Sequence, residues 1–223
     1  MKALRRTLMM VCVTAAVAIA GCAQWFAIVG SSFNKADTTK AKYELPEKKT
    51  VLVFVDDRRV QTDQPLRTLL TEAINEQLTA NKVAAKTIAY SRVLDLAGQA
   101  RGLSGLEPLW TARKVGADIV LYVCVDKFSL HEEGVEIGLL WRGQLGASIS
   151  VTDVASGQML WPRDEPDGMA IKPVDTPTVT HTSPNFGEEL TAQVANIMAD
   201  RVAKMFYDHK ITPEEEMGSD PQP

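Results

Sequence analysis

The stretch 112–128, ARKVGADIVLYVCVDKF, contains the strongest strand signal of the sequence and decides its fold class. The run from Ala117 to Phe128 is rich in β-branched and aromatic residues, which favour strands. Gly116, directly before it, is well suited to end a helix, because glycine readily adopts the left-handed conformation found at helix ends. The stretch therefore predicts a helix that ends at Val115 and leads straight into a buried strand.

The sequence before this junction predicts another buried strand and an amphipathic helix. Thr50–Val55 (TVLVFV) is continuously apolar, as expected for a strand buried on both faces. From Pro65 to Ala80, apolar residues recur at helical spacing, and proline suits the first turn of a helix. Residues 98–106 contain three glycines and predict a loop. Three short elements complete this half: a strand over 83–89 and helices over 91–96 and 107–115.

The sequence after the junction predicts a turn, a hairpin and a last helix. Residues 131–134 (HEEG) predict the turn. Over 144–154 apolar and small polar residues alternate, which predicts a strand with one packed face, and 158–161 (QMLW) returns as its partner. Residues 162–186 are rich in proline, aspartate and threonine and predict a long loop. An apolar stripe over 187–207 predicts a long helix.

This order of elements predicts an α/β fold with a single mixed β-sheet of about five strands, helices packed on it, and a C-terminal hairpin followed by a long helix. The length of 223 residues allows one ordinary domain with some extra chain. With 45% hydrophobic and 23% charged residues, the composition excludes a wholly disordered chain and a multi-span membrane protein. A formal net charge of -4 argues against a generic nucleic-acid binder.

The N-terminal residues 1–21, MKALRRTLMMVCVTAAVAIAG, have the layout of a secretory signal peptide. A basic start precedes the apolar run Leu8–Ala20, and small residues follow. The tetrad Ile19–Cys22 resembles the lipobox of bacterial lipoproteins. That resemblance implies cleavage between Gly21 and Cys22 and attachment of lipid to the Cys22 thiol. Two or more acyl chains on one residue give stable membrane anchoring.

An uncleaved signal-anchor helix is the alternative to a lipid anchor. Uncleaved, residues 7–30 would be just long enough to span a bilayer as a signal anchor. Ala23 after the cysteine fits sorting to the outer membrane. Without the signal peptide, 21 Lys and Arg remain against 28 Asp and Glu, so the mature net charge is -7.

The predicted domains are the signal peptide 1–21, the lipidated cysteine and flexible tether 22–49, the α/β envelope domain 50–210 and a disordered acidic tail 211–223.

Three pieces of the chain carry a resemblance to a group of bacterial envelope domains. They are the strand and helix over 51–80, the junction ARKVGADIVL over 112–121, and the hairpin ISVTDVASGQMLW over 149–161. Together they resemble the curli secretion lipoprotein, the N-terminal domain of the Tol system's periplasmic propeller protein, and the neisserial lipoproteins proposed to activate peptidoglycan synthesis. The resemblance covers roughly residues 50–208.

The resemblance implies a lipid-tethered, non-catalytic domain in the periplasm that binds other envelope proteins. No propeller follows the domain, so the Tol role is not implied. The segment 129–142 is too short for the two membrane strands that a pore-forming hairpin needs, since each requires about 9 to 11 residues. The expected partners are the membrane, through lipid on Cys22, and other envelope proteins. A homo-oligomer is left open, and no nucleic acid is expected.

Few residues of the sequence have the spacing of a known catalytic or metal-binding motif. No paired cysteines or His-Glu-x-x-His motif predict a metal site, and no cofactor or catalytic set is expected. Cys124 is expected to be a buried structural thiol, since no histidine lies near it in sequence. The run Asp56, Asp57, Arg58, Arg59 follows a strand and is interpreted as a partner-facing loop or exposed ion pairs. Ligand-binding carboxylates are the alternative.

Two other classes of function stay open. A small-molecule or cell-wall-glycan sensor would place its cleft between the loops 98–106 and 162–186. A hydrolase would use Asp56, Asp57 or His181. The sequence favours a lipid-anchored scaffold or assembly component of the outer membrane.

Overall fold

The structure, a computed structural model, describes residues 38–60, 62–99, 102, 105–135, 138–177, 179–180 and 185–211. Their elements, in chain order, are β1 (Thr38–Thr39), β2 (Thr50–Asp56), α1 (Leu66–Ala80), β3 (Lys86–Thr87), α2 (Tyr90–Gln99), α3 (Pro108–Val115), β4 (Ile119–Val135), β5 (Gly138–Asp153), β6 (Met159–Trp161), β7 (Met169–Asp175), β8 (Val179–Thr180), α4 (Phe186–Lys204) and β9 (His209–Lys210). The short strands β1 and β9 pair antiparallel and belong to one compact unit, and Lys40–Asp208 forms the other.

The unit Lys40–Asp208 contains one mixed sheet, which confirms the predicted α/β class. Its strands run in the order β3-β2-β4-β5-β6, and β2 is parallel to β3 and β4. The long strand β5 returns antiparallel to β4, and β6, β7 and β8 pair one after another along its other edge. The sheet therefore has seven strands rather than about five, because β7 and β8 add to the edge of β5.

Two local predictions are wrong. Residues 131–134 form no turn, since they continue β4 and pair with 139–142 of β5. Charged residues are tolerated there because strand preference depends on context more than on composition. The loop predicted over 162–186 contains β7, in which Ile171 and Val174 are buried. Pro173 disguises this strand, and proline is accepted there because β7 lies at the edge of the sheet.

Alternation along β2 and β4 gives the sheet two packed faces. On the first face, Val53 and Leu121 belong to a core formed with α1 and α4. On the second face, Leu52 and Val120 pack with α2 and α3. Each such side chain stabilises the fold by roughly 1.5–3 kcal/mol when fully buried. Both helix layers are therefore needed to remove β2 and β4 from water.

Residues 40–49, at the end of the predicted tether, pack on the domain. Leu45 is buried, and the N–H groups of Lys42 and Tyr43 both donate to the carbonyl of Met205, at 2.8 and 3.2 Å. The Tyr43 ring stacks on Trp161 with centroids 6.0 Å apart. This part of the chain is therefore a fixed part of the domain rather than a flexible tether. The predicted signal peptide, Cys22 and the tail from 212 onward lie outside the described residues. Within the described ranges, no helix is long and apolar enough to cross a bilayer.

Candidate functional site

A hydrogen-bonded cluster lies at the carboxyl end of β2, where the sequence places Asp56. The Asp56 side chain is only 7% exposed. Arg58 donates to it from its backbone N–H at 3.1 Å, from Nε at 2.8 Å and from a terminal guanidinium nitrogen at 2.5 Å. The Tyr122 hydroxyl donates to its Oδ2 at 2.7 Å. Both carboxylate oxygens therefore have partners from this chain.

The strand register brings these residues together. β2 ends at Asp56, and the chain turns back through a hydrogen bond from the Val60 N–H to the Asp57 carbonyl at 3.0 Å. This turn places Arg58 over Asp56. On the neighbouring strand, Tyr122 lies opposite Phe54, and their rings stack with centroids 6.2 Å apart.

The electrostatics of the cluster favour an ionised carboxylate beside a neutral phenol. Burial alone would raise the pKa of Asp56, but hydrogen bonds from Arg58 and Tyr122 outweigh it and hold that pKa well below its usual range. Burial, with the hydrogen bond to Asp56, raises the pKa of Tyr122. A carboxylate held in this way is a poor general base and a poor nucleophile, since its charge is already neutralised.

The two remaining charges of the predicted loop also have partners. Asp57 accepts from Arg67 of α1, and both side chains are largely buried. Arg59 donates to Asp126 of β4 at 2.8 Å. The side chains of Arg58 and Arg59 are 43% and 65% exposed, so only these two of the four predicted residues face solvent to a large extent. For Asp56, the expectation of a partner-facing residue is wrong because it is buried beneath Arg58.

The sequence missed Tyr122, Arg67 and Asp126. Tyr122 lies 66 positions from Asp56, and only the parallel register of β2 and β4 joins them. Arg67 lies in the next helix, ten residues after Asp57, and the opposite charges of the two residues are a sequence signal that could have suggested this ion pair. Cys124 is buried and free, and burial raises the pKa of its thiol, as expected for a structural cysteine. His181 and Cys22 lie outside the described residues.

A separate open cleft of about 340 Å³ lies at the opposite end of β2 and β4. It is lined by Lys49, Arg113, Ala117, Asp118 and the turn residues 153–155. Hydrogen bonds from the backbone and side chain of Ser156 lower the pKa of Asp153. The observed cleft differs from the one predicted between 98–106 and 162–186, because none of the residues that line the observed cleft comes from those segments. Among the described residues, no group of three metal-ligating side chains occurs.

Comparisons with known proteins find similarity only at the level of solved structures. No family model matches the sequence, and no curated protein sequence matches it. The PelC dodecamer from Paraburkholderia phytofirmans is 15% identical, with a TM-score of 0.42, over 76% of this chain and 96% of that one. Lipoprotein GNA1162 from Neisseria meningitidis is 16% identical, with a TM-score of 0.36, over 70% of this chain and 99% of that one.

A third structure, a minor lipoprotein from Acinetobacter baumannii, is 12% identical, with a TM-score of 0.38, over 75% of this chain and 100% of that one. A TolB protein from the same organism is also among the similar structures. By name, two of these four proteins are lipoproteins. Their identities and TM-scores are too low to transfer any partner or activity to this chain.

Proposed function

We propose that this chain is a lipid-anchored envelope protein that acts as a non-catalytic scaffold or assembly component through protein–protein contacts. In this proposal lipid on Cys22 holds the protein to the outer membrane, and its α/β domain lies in the periplasm. The observation that carries the proposal is the closed set of ion pairs at the carboxyl end of β2. Open α/β sheets often bind their ligands at that end.

The ion pairs support contact rather than catalysis. Asp56 and Asp57 are each bound by an arginine of the same chain, so neither is available to activate water or a substrate. The side chains of Arg58 and Arg59 remain 43% and 65% exposed. Arginine on a fixed loop is well suited to bind carboxylates of a protein partner, because its planar fork forms paired hydrogen bonds.

In-cell photo-crosslinking tests the proposal. A photoreactive residue replaces Asp63 in the full chain, an exposed position between β2 and α1 that leaves both arginines in place, and a second variant carries it at Glu72, an exposed position of α1. We expect defined envelope proteins to crosslink at position 63 and not at position 72. Recovery of the same chain alone would indicate a homo-oligomer. Equal crosslinking at both positions, or none at position 63, would contradict a partner-facing loop.

The anchoring part has its own test. Cys22→Ser removes the thiol to which lipid would attach, so the mature domain should move from the membrane fraction to the soluble periplasmic fraction. If the variant stays with the membrane and the cells behave normally, lipid on Cys22 is not what holds the protein there.

The cleft of about 340 Å³ favours a second candidate, a small-molecule or cell-wall-glycan sensor. Ligand sites in proteins begin at about this volume. A thermal-shift screen with cell-wall fragments tests it, with Lys49→Ala as the matched variant of the lining. A shift that Lys49→Ala removes would support a sensor, and no shift with any fragment would weigh against one.

The hydrolase alternative depends on Asp56, Asp57 and His181. Asparagine at the two aspartates, which keeps their shape, and alanine at His181 should abolish the function of an enzyme that uses them. Full function of this triple variant in cells would exclude the alternative.

A further inference from the structure

Large apolar side chains reach solvent on only one side of the described part of the sheet. Leu94 of α2 and Trp110 of α3 are both 43% exposed, and Met159 of β6 is 36% exposed. The helices α2 and α3 both pack on the second face. Met159 lies opposite Thr152, which lies opposite Val120 of that same face. All three residues therefore belong to the α2 and α3 side.

The two helices on the same side carry a net positive charge. Helices α2 and α3 together contain three cations, Arg92, Arg113 and Lys114, and one carboxylate, Asp95. Helices α1 and α4, on the other side, contain three cations and five carboxylates. The two helices beside the exposed apolar residues thus carry a net charge of +2, against -2 for α1 and α4, in a mature chain whose expected net charge is -7.

Trp110 and Lys114 bring an apolar ring and a cation together on this side of the sheet. The ammonium of Lys114 lies 5.7 Å from the centre of the Trp110 ring, one turn along α3. Tryptophan beside a basic residue is typical of groups at the boundary between lipid headgroups and acyl chains, where the ring is partly buried and the cation contacts phosphate. We call this region the α2–α3 surface. It consists of Leu94, Trp110, Met159, Arg92, Arg113 and Lys114.

We propose that the α2–α3 surface docks on the headgroups of an anionic phospholipid bilayer. The choice of a bilayer rests on the lipid anchoring proposed above. Cys22 precedes the first described residue, Thr38, by sixteen positions. A chain of that length spans at most about 55 Å. A lipid on Cys22 would therefore keep the domain within reach of the membrane, and basic residues near an anionic surface each strengthen binding about fivefold.

Vesicle binding by the mature chain with Cys22→Ser tests the docking without any acyl chain, so its outcome is independent of whether Cys22 is lipidated. We expect binding to vesicles of phosphatidylglycerol mixed with phosphatidylethanolamine, weakened by salt, and little binding to phosphatidylcholine alone. Trp110→Ala should weaken binding about fivefold, and the pair Arg113→Glu and Lys114→Glu at least about tenfold.

The matched control is the pair Lys86→Glu and Lys127→Glu, which changes the net charge equally at exposed positions outside the α2–α3 surface. It should bind within about twofold of the parent. Every variant retains residues 25–30, so insertion of that apolar segment would affect all of them alike.

Three results would overturn the docking. The first is no binding of the parent to the anionic vesicles. The second is equal loss in the control pair and in the surface pair. The third is capture of an acidic protein, rather than lipid, by a photoreactive residue at position 110 in cells. Unchanged melting temperatures of the surface variants show that a loss of binding is not a loss of folding.

Discussion

The two faces of the sheet are built from the same alternating strands but are covered differently. On the first face, α1 and α4 cover the strands with a large apolar core that includes Leu70 and Met198. On the second face, α2 and α3 cover an apolar patch, and the polar group of Asp56, Arg58 and Tyr122 lies beyond it. The second face therefore combines helix packing with a polar cluster whose arginine is 43% exposed, and the proposal above assigns surface contact to that cluster.

The largest effect should come from truncating matched leucines on the two faces. Leu70→Ala on the first face should lower the free energy of unfolding by about 4 kcal/mol, and Leu106→Ala on the second by about 3 kcal/mol. Both leucines are fully buried. Leu106 already lines a small cavity, so its side chain has fewer packing contacts to lose. Urea unfolding of the Cys22→Ser chain measures both values. A larger loss for Leu106→Ala would show that the second face carries the stability.

The next effect concerns the buried carboxylate. Asp56→Asn should lower the free energy of unfolding by about 2 kcal/mol at neutral pH, because it removes the charge that Arg58 and Tyr122 bind. The folded pKa of Asp56 lies below its unfolded value of about 3.9. Its contribution is therefore present above that pH and lost as the pH falls through the folded pKa.

The parent should thus lose more stability than Asp56→Asn when acid is added below about pH 4. Asp126→Asn is the control, because Asp126 pairs with Arg59 at the surface and should cost less than about 0.5 kcal/mol. Equal acid sensitivity of the parent and Asp56→Asn would contradict a strongly bound carboxylate at position 56.

The sequence predicts single elements better than the contacts between them, for a physical reason. Helical spacing in α1 and the apolar run of β2 are local patterns, so both elements are found almost to the residue. The link from Asp56 to Tyr122 depends on the register of two strands, which no local pattern encodes. β7 was missed because Pro173 argues against a strand unless its edge position is known. Likewise, the polar cluster at 131–134 predicts a turn, since its pairing with β5 is a tertiary contact.

A smaller effect tests the phenol of the cluster. Tyr122→Phe should lower the free energy of unfolding by about 1.5 kcal/mol, since Asp56 loses one hydrogen-bond donor while the ring stays packed on Phe54. The folded pKa of Tyr122 is raised, so the parent should lose stability as the pH rises above the unfolded value of about 10. Tyr122→Phe should lack that part of the alkaline loss. Identical alkaline unfolding of the two proteins would show that the hydroxyl is not bound as described.

The smallest effect on stability should come from Arg59→Ala, which separates folding from contact. Its ion pair with Asp126 is exposed, so the free energy of unfolding should change by less than about 0.5 kcal/mol. If the loop binds a partner, the same change should reduce in-cell crosslinking from a photoreactive residue at the exposed position Asp63 several-fold. Lys127→Ala, at an exposed position of β4, should leave that crosslinking unchanged. A loss of crosslinking without a loss of stability would show that the polar end of the second face serves contact. Loss of both would show that Arg59 supports the fold.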